Sequence, residues 1–92
     1  MEKPNLEKII TSKVRAEILR LFLLSPDREL SIHMRGIARK IKYEVNGIRR
    51  ELNNLVELEI LKATENGVKI QYQVNWENEL TNVLYNLIKV SA

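Results

Sequence analysis

Ninety-two residues is one domain's worth of chain, and a chain of that size buries only a modest core. It holds no cysteine, which excludes disulfide staples, thiolate metal sites and cysteine nucleophiles and fits an intracellular setting. The net charge of +3 is mild but uneven: residues 28–54 carry seven Lys/Arg against three Asp/Glu, whereas residues 55–92 carry three against five.

The start of the chain reads as loose around Pro4, with Leu6, Ile9 and Ile10 at the spacing of one helical turn. No apolar signal region follows Met1, and no apolar run approaches the ~20 residues of a membrane span. The expectation is a soluble, cytoplasmic protein. Thr11 and Ser12 offer a hydroxyl N-cap to a first helix from about Lys13 to Leu24. Val14, Ile18, Leu21 and Phe22 share one face of it, and Leu19 and Leu23 widen the apolar stripe onto a second side, so that this helix is expected to meet more than one neighbour. Ser25-Pro26-Asp27 ends it, because proline cannot continue the hydrogen-bond ladder.

Glu29 to Ile32 reads as a short extended piece. A second helix follows from about His33 to Ile41, with Met34, Ile37, Ala38 and Ile41 on one face. After a break at Lys42-Tyr43-Glu44, a third helix runs from about residue 44 or 45 to Leu58 on the stripe Val45, Ile48, Leu52 and Leu55. The period then changes. Leu61 to Glu65 reads as a strand, Asn66-Gly67 as a type I′ hairpin turn, and Val68 to Asn75 as a return strand with Val68, Ile70, Tyr72 and Val74 on its dry face. Trp76 leads into a last helix, about 77–90, with Leu80, Val83, Leu84, Leu87 and Ile88 on one side. Two helices joined by a three-residue break and followed by a hairpin form the winged helix-turn-helix plan: a three-helix core at about 12–75, a two-stranded wing and a C-terminal helix, all in one domain spanning 1–92.

The wet side of the third helix carries the chemistry. At about 100° per residue, the side opposite Ile48 and Leu52 presents Asn46, Gly47, Arg50, Asn53 and Asn54, with Arg49 on one flank and Glu51 on the other. Arginine donates two parallel hydrogen bonds to guanine, and asparagine pairs both ways with adenine. Asparagine and glycine are poor helix formers, so their crowding on one exposed face asks for a reason beyond solubility. Gly47, lacking a side chain, lets the backbone approach a groove wall. Arg35, Arg39, Lys40 and Lys42, with the Tyr43 hydroxyl, are candidates for phosphate contacts, which position a protein without reading sequence. Tyr43 serves equally well as a cap on the core. In the wing, Lys62, Asn66, Gly67 and Lys69 are the candidate contacts, opposed by Glu65, and the wing is expected to be short and lightly used.

Enzyme chemistry finds no support in the residues. His33 has no cysteine or histidine partner at ligand spacing and reads as a surface or capping residue, so no metal is expected. Gly36, Gly47 and Gly67 stand apart and form no phosphate-cradling loop. Glu57 and Glu59 cannot share a helix face, and no nucleophile–base pair is visible. No cofactor is expected.

Three stretches resemble prokaryotic winged-helix transcriptional regulators of the ArsR-like and MarR-like class: Ser12-Lys13-Val14-Arg15 leading into Ile18-Leu19-Arg20-Leu21-Phe22-Leu23; Ile37-Ala38-Arg39-Lys40-Ile41; and Ile48-Arg49-Arg50-Glu51-Leu52-Asn53-Asn54-Leu55 followed by Ile60-Leu61. The resemblance implies a DNA-binding regulator, usually a homodimer, with Asn46, Gly47, Arg49, Arg50 and Asn53 facing the DNA. Two departures stand out. Glu59 holds the position where a glycine commonly ends the recognition helix, and the cysteine and histidine clusters of the metal-sensing members are missing. For a dimer the candidate interface is Leu19, Leu23, Leu80, Leu84 and Leu87, although the last helix is equally suited to pack on the first helix of its own chain. A twofold dimer would set two recognition helices ~34 Å apart on a palindromic site. The alternative is a winged helix that binds another protein and does not read DNA.

Overall fold

The computed structural model describes residues 12–91, so the expectations for Leu6, Ile9, Ile10 and Thr11 lie outside the described residues. The elements in order are α1 (Lys13–Leu23), β1 (Ile32–His33), α2 (Met34–Ile41), α3 (Val45–Glu57), β2 (Leu61–Asn66), β3 (Lys69–Val74) and α4 (Glu79–Ser91). The three strands form an antiparallel sheet in the order β1-β3-β2. Ile32 pairs with Tyr72 at one edge, and Leu61 pairs with Val74 at the base of the hairpin.

Local chemistry sets the helix ends. Ser12 caps α1, its hydroxyl oxygen accepting the Arg15 amide at 3.3 Å. Lys42 ends α2 in the left-handed region at φ 63°, its amide donating to the Ala38 carbonyl at 2.8 Å. The end of α3 is a Schellman turn made without glycine. Glu59, at φ 61°, donates to the Val56 carbonyl, and Ile60 donates to Leu55, both at 2.9 Å. Ile60 and Leu55, the pair such a turn brings together, are both buried.

Side chains of every helix and of the sheet meet in one core. Ile18, Phe22, Ile37, Ile48, Leu52, Leu55, Ile60, Leu61, Val74 and Leu84 are its main members. Leu19 and Leu23 belong to it too, with 4% and 2% of their surface exposed. The second apolar side of α1 therefore faces the interior of its own chain, since α2, α3 and β3 all pack against this helix. Gly36 permits the close approach of α2 to β1, because a Cβ there would stand 2.8 Å from Cγ2 of Ile32.

The hairpin departs from expectation in register. Asn66 stays in the ladder opposite Lys69, and the two-residue turn is Gly67-Val68. Gly67 alone takes a positive φ, 69°, which is the pattern of a type II′ turn with glycine first. The dry face of β3 is buried only at its base. Tyr72 and Val74 are covered, Ile70 is 45% exposed and Val68 is fully exposed. Each strand of the wing has six residues, the first one residue longer than expected and the second shorter by one at each end.

The start of α4 is tied to the end of α3 by asparagine amides. Asn78 Nδ2 donates to the Leu58 and Glu59 carbonyls at 3.1 and 2.9 Å, and Asn75 Nδ2 reaches Glu59 at 3.0 Å. Asn78 Oδ1 in turn accepts the Leu80 amide at 3.0 Å and caps α4. Trp76 closes the other side, donating from Nε1 to the Arg28 carbonyl at 2.8 Å with the Arg28 guanidinium 4.0 Å from its ring centroid.

Candidate nucleic-acid interface

The packing of α3 decides which of its side chains are free. Ile48, Leu52 and Leu55 are buried, so Asn46, Arg49, Arg50 and Asn53 stand in solvent on the far side. Arg50 and Asn53 make no hydrogen bond or ion pair among the described residues. Arg49 Nη1 donates to Asn46 Oδ1 at 2.9 Å, one turn back on the same helix. Gly47 faces open space, with no atom within 4 Å of where a Cβ would sit. Asn54 is half-buried at the edge of this face.

Glu51 is the carboxylate that would oppose a polyanion here, and it is turned away and neutralised. Its Oε1 accepts Nε of Arg15 at 2.7 Å, and the Ser12 hydroxyl lies 3.5 Å from Oε2. Both charged side chains are largely covered, with 13% and 14% of their surfaces exposed. This pair ties α1 to α3 and removes negative charge from the exposed side of α3.

The candidate phosphate residues divide. Arg35 and Arg39 of α2 line a groove of about 510 Å3 between α2, the first turns of α3 and the wing. Arg49 of α3 and Lys69 of the wing line the same groove, so residues assigned to three separate roles by sequence meet in one place. Lys40 and Lys42 are exposed but lie outside it. Tyr43 is half-buried and its ring packs against the core. In the wing, Lys62 pairs with Gln73 on the sheet face opposite the one that carries Tyr72, and Asn66 and Gly67 are exposed near the tip.

Two polar members of this groove were not among the sequence candidates. His33 lines it at the N-cap position of α2, where it makes no side-chain capping bond. Tyr72 lines it from β3. Burial pushes the Tyr72 phenol above its ordinary range, while the nearby Arg49 charge acts in the opposite sense. The signal in the sequence was a tyrosine, with its polar tip, on the dry face of a strand.

The candidate dimer residues also divide. Leu19, Leu23 and Leu84 lie inside the chain and have no surface left for a partner. That corrects the expected interface: leucine at the right helical spacing served the core first. Leu80 and Leu87 remain 41% and 40% exposed, and with Val83 and Val90 they form an outward apolar stripe on α4. Among the described residues, no three His, Asp or Glu side chains come together to hold a metal ion, and no helix is long and apolar enough to cross a membrane.

No family model and no curated protein matches this sequence. Solved structures do match its fold. The homodimeric winged helix-turn-helix DNA-binding domain of Mb0332 from Mycobacterium bovis, described as a possible ArsR-family transcriptional regulator, superposes with a TM-score of 0.67 at 19% identity, over 94% of this chain and 73% of that one. HlyU from Vibrio cholerae superposes with a TM-score of 0.68 at 14% identity, over 96% of this chain and 94% of its own. Reduced HlyU gives 0.68 at 12% identity, over 90% and 80%. The fold of this chain is a winged helix-turn-helix.

Proposed function

We propose that this winged helix-turn-helix protein is a double-stranded DNA-binding transcriptional regulator of the cytoplasm, a non-enzymatic homodimer that reads sequence with α3. The observation that carries the reading is the exposed Arg50–Asn53 face of α3, where these two side chains have no hydrogen-bond or ion-pair partner among the described residues, beside a helix flank from which Glu51 has been withdrawn. Base reading falls to Arg50 and Asn53, with Asn46, Arg49 and Asn54 at the edges and Gly47 at the point of closest approach. Arg35, Arg39, Lys40 and Lys42 contribute backbone attraction, which is independent of sequence and steeply dependent on salt.

The dimer rests on the α4 stripe, where Leu80, Val83 and Val90 are exposed apolar side chains at one helical spacing. The Mycobacterium domain of the same fold is a homodimer, which supports this arrangement. Selection of bound duplexes from a random pool tests both halves of the proposal, the expected product being a palindrome. Arg50→Ala should then relax preference at one base pair by roughly 5- to 100-fold, whereas Lys40→Ala should weaken all duplexes alike and flatten the salt slope by about one. Recovery of no enriched sequence, with binding indifferent to both changes, would overturn the reading in favour of a winged helix that docks on another protein.

A further inference from the structure

The groove between α2, α3 and the wing holds an arrangement that base reading does not require. Arg35, Arg39, Arg49 and Lys69 line it together with His33 and Tyr72, and none of its lining residues is acidic. Glu65, the nearest carboxylate in the wing register, sits opposite Ile70 and does not line the groove. Both helices that border it start without a side-chain cap: His33 and Glu44 leave the first-turn amides of α2 and α3 with no capping acceptor, and neither first turn holds an acidic residue. Such amides, with the helix dipole behind them, favour an anion.

Tyr72 supplies the independent observation. The residue is only 4% exposed, yet it lines the groove. Its hydroxyl makes no hydrogen bond among the described residues, although a tyrosine buried to this degree ordinarily finds a partner. Arg49 lines the same groove, and the hydroxyl is not among the buried unpartnered atoms of the described residues, so the polar end of the ring meets the groove. The ring is buried but its hydroxyl is not sealed off, so a donor with no partner among the described residues opens onto a groove lined by cations, where it can meet an anionic oxygen.

We infer that this groove is a phosphoester seat, in which the Tyr72 hydroxyl donates to a phosphate oxygen while Arg49, Arg35, Arg39 and Lys69 balance its charge. The inference rests on the DNA-binding reading for one of its two sources, a backbone phosphate of the strand that runs between α3 and the wing. The other source is a free phosphomonoester, for which the volume also suffices. The seat gives Arg49 a positioning role beside its place at the edge of the reading face and makes the wing a working contact through Lys69.

The test uses the full chain and Tyr72→Phe, which keeps the ring and its packing and removes only the donor. An unchanged melting temperature shows that the variant is folded. In one arm, duplexes carrying a neutral methylphosphonate at single backbone positions are titrated. Wild type should lose about tenfold in affinity at one position per half-site, and Tyr72→Phe should be about tenfold weaker on the unmodified duplex and insensitive to that same substitution. In the other arm, inorganic phosphate and a nucleoside 5′-monophosphate are compared with chloride at equal ionic strength. Shifts in the amide and Arg49 resonances, lost in Tyr72→Phe, identify a free phosphomonoester as a ligand. Either result supports the seat. If Tyr72→Phe behaves as wild type in both arms, the seat is refuted even where duplex binding through Arg50 is intact. If no duplex binds at all, the functional reading falls and the phosphate arm alone decides the seat.

Discussion

Gly47→Ala separates stability from function at one atom. The residue lies in the first turn of α3, and its Cβ would meet nothing within 4 Å. A methyl group there removes the conformational entropy of glycine from the unfolded chain and meets no clash, so the helix should gain about 0.5–1 kcal/mol. For a domain of this size that is a rise of roughly 2–8 °C in Tm. On the DNA the same methyl group intrudes between helix and groove wall. Forcing an extra carbon into a fitted contact costs about 1–3 kcal/mol, a loss of roughly 5- to 100-fold in affinity. Thermal melting by circular dichroism and fluorescence anisotropy on the selected duplex, at one fixed salt concentration, measure the two effects side by side. A more stable variant with undiminished affinity would refute the placement of Gly47 at the groove wall. A less stable variant would refute the description of its surroundings.

Glu59→Gly should stabilise the protein by about 0.5–1 kcal/mol, because Glu59 holds a left-handed conformation that glycine adopts without cost, and chemical denaturation will show the change in midpoint. Thr81 is fully buried and its hydroxyl has no partner among the described residues, so Thr81→Val should be neutral or stabilising by about 1 kcal/mol in the same assay; a loss of 1 kcal/mol or more would reveal a hydrogen bond at that hydroxyl. Val83→Lys, at a position 59% exposed in the single chain, should change folding stability by less than about 1 kcal/mol and weaken self-association by roughly tenfold or more in sedimentation. A dimer as tight as the parent would remove the α4 stripe from the interface.

The order of elements was legible in the sequence because each signal is local. Apolar spacing marked the helices, Pro26 the end of α1, and Gly67 the position of the hairpin. The turn itself slipped by one residue. Asn66 tolerates a positive φ but is not obliged to adopt one, and pairing it with Lys69 keeps another rung of the ladder. What could not be read were decisions taken between distant segments. Leu19 and Leu23 look like a spare apolar face until α1 is seen to be enclosed by its own chain. Glu59 looked like the loss of a helix stop, yet the turn forms, with Asn75 and Asn78 satisfying its carbonyls from 16 to 20 residues away. Within the site, the solvent side of α3 followed from periodicity. The convergence of Arg35, Arg39, Arg49 and Lys69 with Tyr72 on one groove depends on where the wing stands relative to the two helices.

The asparagine ties between α3 and α4 have a mechanical consequence. Asn78 holds two carbonyls at the end of α3 while capping the helix that bears the outward stripe, so the two helices are joined directly by hydrogen bonds as well as through the hairpin between them. A partner seated on α4 therefore stands at a set angle and distance from Arg50 and Asn53. In a twofold pair built this way, half-site spacing is fixed by the protein, and adding or removing one base pair between half-sites is paid for by bending the DNA.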